Sequence, residues 1–220
     1  MTAINCVVVP GGSAGFLLTD SLAYDRRGNI DGFGAKTITL PHAHCCVASR
    51  GEALVAGMAA MVVGRFSDID QISTMAPAAL TTQLREFVDT LILDGEPAKL
   101  SIEMVVMGWS PMRKTVEAYL AKSEDDFSFR SVNIYLAPAL SAEELINAGI
   151  PNTDGGIRFT NLVEDLCRIL ATQSARRYAA DPSRPDDKAS LIGGDAILTR
   201  IDRSGVHQCK LMRIDPAKGC

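Results

Sequence analysis

Strand-length apolar runs stand at the beginning, middle and end of this chain, and helix-period segments are grouped between them. That order constrains the fold more than any single motif. Strands joined by short turns make antiparallel sheets, whereas a parallel sheet needs a long crossover after each strand. Ile4 to Val9 and Phe16 to Ala23, separated by Pro10-Gly11-Gly12-Ser13-Ala14-Gly15, read as an opening hairpin. After a polar turn at Asp25-Arg26-Arg27-Gly28-Asn29, Thr37 to Leu40 and Cys45 to Ala48 read as two short strands broken at Pro41. Gly51 to Phe66, rich in Ala, Met, Leu and Val, predicts a buried helix.

Pro77 to Leu93 predicts a second, amphipathic helix, with Leu80, Leu84, Phe87, Val88 and Leu91 at helical spacing and a stop at Asp94-Gly95-Glu96-Pro97. Strands are expected from Ile102 to Trp109, Thr115 to Lys122 and Phe127 to Tyr135. Ser141, followed by Glu143 and Glu144, marks a helix start. Phe159 to Tyr178 reads as a longer helix with Leu162, Leu166, Ile169 and Leu170 on one side, and Asp181 to Lys188 as a polar loop. The end is a hairpin, Ala196 to Ile201 and Val206 to Ile214, turning at Asp202-Arg203-Ser204-Gly205. Hairpins with helices grouped between them define an α+β fold, and the absence of repeats and low-complexity runs makes residues 1–220 a single domain. Several strand runs are apolar on both faces, so helices must cover the sheets.

Length and charge narrow the function classes. At 220 residues the chain can bury a sizeable core. Its net charge of −4 gives no basic footprint for nucleic acid. No run approaches the length of a membrane span and no signal-like segment opens the chain, so a cytoplasmic location is expected, without membrane contact. Six cysteines, with no CxxC pair, read as free thiols of a reducing compartment.

Thr2, Asp20 and Lys36 are the candidate chemistry. A threonine whose own α-amine is free carries its base with it, and a lysine held by an aspartate lowers the cost of ionising the hydroxyl. Thr2 becomes terminal if Met1 is removed, and its small side chain suits aminopeptidase cleavage. His42, His44 and Cys46 would share one strand face under simple alternation, a possible three-ligand set. They lack a distant partner cluster, and no metal or other cofactor is expected. Cys6 could be a nucleophile only after a longer processing cut. Trp109 and Met58, Met61 and Met104 read as core residues.

The chain resembles the proteasome β-subunit type of N-terminal nucleophile hydrolase. Four matches carry the resemblance. Thr2 opens the first strand; Asp20-Ser21-Leu22-Ala23 is similar to the family's Asp-Ser-Arg-Ala; Lys36 lies sixteen residues past Asp20; and Asp187-Lys188-Ala189-Ser190 with Gly193-Gly194 is similar to the family's Asp-x-x-Ser-Gly-Gly. Ala48-Ser49-Arg50-Gly51 and Met107-Gly108-Trp109 are softer matches. The chain departs from the family in a longer first hairpin, in Leu22 for arginine, in two extra residues after Ser190, and in Tyr135-Leu136-Ala137-Pro138-Ala139 where a Gly-Ser-Gly loop is usual.

The resemblance implies a four-layer αββα sandwich of two antiparallel sheets between helices. It implies catalysis by Thr2, with Asp20 and Lys36 beside it, the Gly51 N–H as oxyanion donor, and Asp187 and Ser190 orienting the amine and water. The substrate would be a peptide or other amide, and the protein a homo-oligomer. Two alternatives stand beside this reading. One is a catalytically inactive relative serving as a structural or assembly subunit of a larger particle, for example virus- or phage-like. The other is a hydrolase of small-molecule amides.

Overall fold

The computed structural model describes residues 2–25, 27–51, 54–93, 101–153, 156–179, 185–186 and 188–215, with residues 88, 91–93 and 153 described by backbone alone. The first part of the chain forms β1 (Ile4–Val8), β2 (Ala14–Thr19), β3 (Leu22–Tyr24), β4 (Ile30–Phe33), β5 (Thr37–Leu40), β6 (Cys45–Arg50), α1 (Val55–Val63) and α2 (Ile69–Leu93). The middle forms β7 (Glu103–Ser110), β8 (Thr115–Lys122), β9 (Arg130–Ser131), β10 (Ile134–Ala137) and α3 (Ala142–Asn147). There follow β11 (Asn152–Thr153), β12 (Gly156–Ile157), α4 (Leu162–Ala175), β13 (Tyr178–Ala179), β14 (Lys188–Ala189), β15 (Gly194–Asp202) and β16 (Gly205–Ile214).

Two five-stranded antiparallel sheets organise the molecule. The first has the order β10-β1-β2-β15-β16 and the second the order β5-β6-β7-β8-β9; three two-stranded ribbons lie outside them. The expected α+β class is therefore met. Because side chains alternate along a strand, β1 divides its apolar residues between two cores. Ile4, Cys6 and Val8 meet Cys46, Ala48, Val105, Met107 and Ala118 of the second sheet. Ala3 and Val7 instead meet Leu166 and Leu170 of α4. The second sheet's other face, with Cys45, Val47 and Val106, packs on α1 and α2. A fully buried side chain such as Met107 contributes roughly 1.5–3 kcal/mol by leaving water.

Four expectations need correction. The second helix begins at Ile69, not Pro77, so the proline lies inside it. Its start is set by Asp68, whose carboxylate accepts the Gln71 N–H at 2.9 Å. Ile69, Ile72, Ala76, Leu80 and Leu84 form one unbroken buried stripe on either side of Pro77. Burial of that stripe outweighs the roughly 3 kcal/mol that an interior proline costs. The helix expected from Gly51 to Phe66 is shorter, Val55–Val63, and Met61 on it is 72% exposed.

The segment from Phe127 to Tyr135 is not one strand. Asp126 and Phe127 both take left-handed backbone (φ 55° each), which no strand accommodates. The chain then changes sheets. The Val132 N–H donates to Ala118 of the second sheet, and the Asn133 carbonyl accepts from Val8 of the first. Likewise the strand expected from Phe16 to Ala23 splits at Asp20, and Leu22–Tyr24 joins a separate ribbon with β4. The stop at Asp94 to Pro97 lies outside the described residues. The Ser141 start forms as expected, with a reciprocal bond pair between Ser141 and Glu144.

Candidate active site

The site sits where one end of the first sheet meets the second. Register pairs Ile4 with Thr19, and just beyond that pair the Ala3 N–H reaches the Asp20 carboxylate. Thr2 is buried at 8% exposure, and alternation from Ile4 turns it toward the second sheet. The hydroxyls of Thr19 and Thr37 lie 3.4 Å apart, linking β2 of the first sheet to β5 of the second.

Asp20 is the centre of the arrangement. It is fully buried, and five contacts converge on its carboxylate. The Lys36 ammonium lies 3.0 Å from both oxygens. The Ala3 N–H donates to Oδ1 at 2.9 Å. The N–H groups of Gly193 and Leu22 donate to Oδ2 at 3.2 and 3.3 Å. One carboxylate thus ties the lysine to Ala3, the residue just before β1 and next to Thr2. Burial pulls the Lys36 ammonium below the usual lysine range, while the charge and hydrogen bonds of Asp20 resist that fall.

The Gly193-Gly194 pair closes against this centre. The Gly193 carbonyl accepts both the Ser21 and Leu22 N–H groups, and the Ser21 hydroxyl accepts the Asp195 N–H at 2.7 Å. Gly194 has φ +78°, and a Cβ there would lie 2.5 Å from the Ser21 Oγ and 2.6 Å from Phe33. Only glycine fits. Leu22 is buried at 1% exposure.

Gly51 follows the end of β6. Its φ is +107°, and a Cβ at this position would come within 2.5 Å of the Ser101 carbonyl, so glycine is required here too. Arg50, just before it, is fixed by Glu103 at 2.8 Å. Glu103 also accepts from the Tyr135 hydroxyl at 2.5 Å and from Lys122 at 2.6 Å. Burial raises the Glu103 carboxyl, but Lys122, Tyr135 and Arg50 together hold it below the usual range, and burial with the neighbouring carboxylate pushes the Tyr135 phenol up.

Two expected residues remain, Asp187 and Ser190. Asp187 lies outside the described residues. Ser190 is described, and its hydroxyl donates to the Ser174 carbonyl at the end of α4, at 3.2 Å. The two extra residues before the glycine pair, Leu191 and Ile192, are both fully buried, so an apolar side chain directly precedes Gly193. In place of a Gly-Ser-Gly loop, Pro138 and Ala139 offer carbonyls that accept from Gln173 (2.7 Å) and Arg176 (2.8 Å).

The expected alternation of His42, His44 and Cys46 does not occur. Pro41–Ala43 is a 3₁₀ turn, and His44 has left-handed backbone, so the two histidines are not on the strand with Cys46. The His42 ring contacts the Gly64 carbonyl at 3.0 Å. Among the described residues no group of three or more His, Cys, Asp or Glu side chains converges as metal ligands. Cys6 is sealed in the core, and burial pushes its thiol up to about 12, far from nucleophilic use.

Sequence reasoning missed Gly193 as a donor to Asp20, Glu103, and the buried Asn5–Gln173 pair that joins β1 to α4 through reciprocal amide bonds of 2.8 and 2.9 Å. Gly193 had a signal, the double glycine; Glu103 and Gln173 had none. Among the described residues no helix is long and apolar enough to cross a membrane. No protein-family model matches the chain, and no curated protein matches it.

Proposed function

We propose that this chain is an N-terminal-threonine hydrolase of peptide or related amide bonds, acting through Thr2 once Met1 is removed. With that reading goes a four-layer αββα fold of the proteasome-like kind and assembly as a homo-oligomer. The observation that carries it is the buried Asp20 carboxylate, which binds the Lys36 ammonium and the Ala3 amide together.

In this mechanism the free amine of Thr2 takes the hydroxyl proton as the oxygen attacks the substrate carbonyl. The Lys36 charge, oriented by Asp20, stabilises the developing alkoxide. The Gly51 N–H receives the oxyanion, a contribution of roughly 3–4 kcal/mol per donor in other hydrolases. The Thr2 ammonium then protonates the departing amine. Water attacks the remaining ester, and the acid product leaves with the threonine hydroxyl restored.

A second reading, a structural or assembly subunit without catalysis, gains support from Ser190, whose hydroxyl is occupied by the Ser174 carbonyl. One experiment separates the two. The intact mass of the purified protein is measured before and after a threonine-directed electrophile such as a peptide epoxyketone. Loss of Met1 and one adduct on Thr2, absent from Thr2→Ala and slowed in Lys36→Met, is the expected result. A retained Met1, or no adduct on a free Thr2, overturns the catalytic reading.

A further inference from the structure

The end of the first sheet remote from Thr2 carries a separate charged cleft. Asp202 pairs with Ala14 there, whereas Ile197 pairs with Thr19 at the site end. This cleft is a shallow depression open to solvent, about 500 Å³ in volume and lined by Ser13, Arg200, Asp202, Arg203 and Ser204. Register sets Arg200 between Phe16 on β2 and His207 on β16. The guanidinium is held from two sides, 2.7 Å from Asp202 and 6.0 Å over the Phe16 ring. The two ion-pair partners differ in access. The Asp202 side chain is 14% exposed and the Arg200 side chain 53%. Asp202 is further covered by the Ser204 N–H at 2.7 Å and by the Ser204 hydroxyl. The carboxylate is therefore the base of the cleft, and the guanidinium is its face.

Arg203, in the turn of the same hairpin, makes no ion pair among the described residues. The His207 Nε2 lies 3.1 Å from the Ser204 Oγ. The charged and titratable groups of the cleft are thus two arginines, one histidine and one covered aspartate. We propose that this cleft binds a phosphate-type oxyanion, gripped by the Arg200 and Arg203 guanidiniums with the Ser13 hydroxyl as a further donor. Two planar forks suit the tetrahedral oxygens better than lysines would. Preorganisation of Arg200 by Asp202 and Phe16 removes part of the ordering cost that a free arginine carries. Free phosphate and the phosphoryl group of a larger monoester present the same oxygens.

The test is a titration of the full chain at low ionic strength, followed by amide NMR and calorimetry, with inorganic phosphate in one arm and phenyl phosphate in the other. Saturable shifts confined to Ser13, Asp202, Arg203, Ser204 and Gly205 are expected in at least one arm. Arg203→Gln and Arg200→Gln should each weaken binding roughly tenfold or more, the loss of a charge-assisted contact. Arg203→Lys should lose less, and Arg213→Gln, elsewhere on β16, should lose nothing. Tighter phenyl phosphate would identify a phosphorylated molecule as the source, and equal affinity the free ion. Should Arg200→Gln disturb the fold through Asp202, the turn variant Arg203→Gln still decides. Diffuse, non-saturable shifts in both arms, or binding unchanged in Arg203→Gln, would overturn the proposal.

Discussion

Asp20→Asn should destabilise the protein more than Lys36→Met, although both break the same ion pair. The reason lies in what each leaves behind. Lys36→Met removes two charge-assisted contacts at 3.0 Å but leaves the carboxylate with three backbone donors, from Ala3, Leu22 and Gly193. A cost of about 2–3 kcal/mol follows, since the remaining hydrogen bonds still satisfy the anion. Asp20→Asn leaves a buried ammonium, whose side chain is only 14% exposed, without its counter-ion. It also turns an amide NH₂ toward one of the backbone N–H groups, donor against donor. Stranding a buried charge costs about 3–5 kcal/mol, and the unsatisfied donor adds about 1–3 kcal/mol. At 220 residues each kcal/mol lowers Tm by roughly 2–4 °C, so Asp20→Asn should melt at least about 10 °C below the parent. Urea unfolding of both single variants and the double variant gives the ordering and the coupling energy. Equal losses, or a larger loss for Lys36→Met, would refute the account of Asp20 as the hub.

The remaining expectations concern the same end of the sheets. Because burial lowers the Lys36 ammonium from the ordinary 10.5, the folded chain binds fewer protons there than the unfolded chain throughout the window below that value. Unfolding free energy must then rise with pH through the window, so the parent should gain stability relative to Lys36→Met as the pH rises toward the ordinary lysine value. A flat or falling difference in urea midpoints would contradict the sign. Gly194→Ala places a methyl 2.5 Å from the Ser21 Oγ on left-handed backbone and should cost about 2–4 kcal/mol by the same unfolding measurement. A loss under about 0.5 kcal/mol would show that the strand shifts freely.

The elements that were legible in the residues are those whose signals are local. The opening and closing hairpins could be read because their turns combine glycine, proline and aspartate with runs that alternate or stay apolar. Asp20 and Lys36 could be paired only through the family resemblance, since their spacing alone is common. Pro77 misled because a proline signals a helix end, while the stripe from Ile69 to Leu84 that keeps the helix intact is an effect of packing on the second sheet. Phe127 to Tyr135 misled because the change of sheets depends on Ala118 and Val8, both distant in sequence. The bond from the Ser190 hydroxyl to the Ser174 carbonyl of α4 had no signal in the residues, because it depends on a partner distant in sequence. Glu103 carries no motif, since a hub is defined by what converges on it.

The bond from the Gly193 N–H to Asp20 joins residues 173 positions apart. The second sheet is drawn wholly from the continuous stretch between Thr37 and Ser131, so it can assemble while the chain is still being synthesised. The first sheet cannot, because β1 and β2 must wait for β10 and then for the last hairpin. Asp20 therefore receives its final donor only after nearly the whole chain has left the ribosome. Completion of the hydrogen-bond shell around the Asp20 carboxylate is thereby a late event in the folding of the chain.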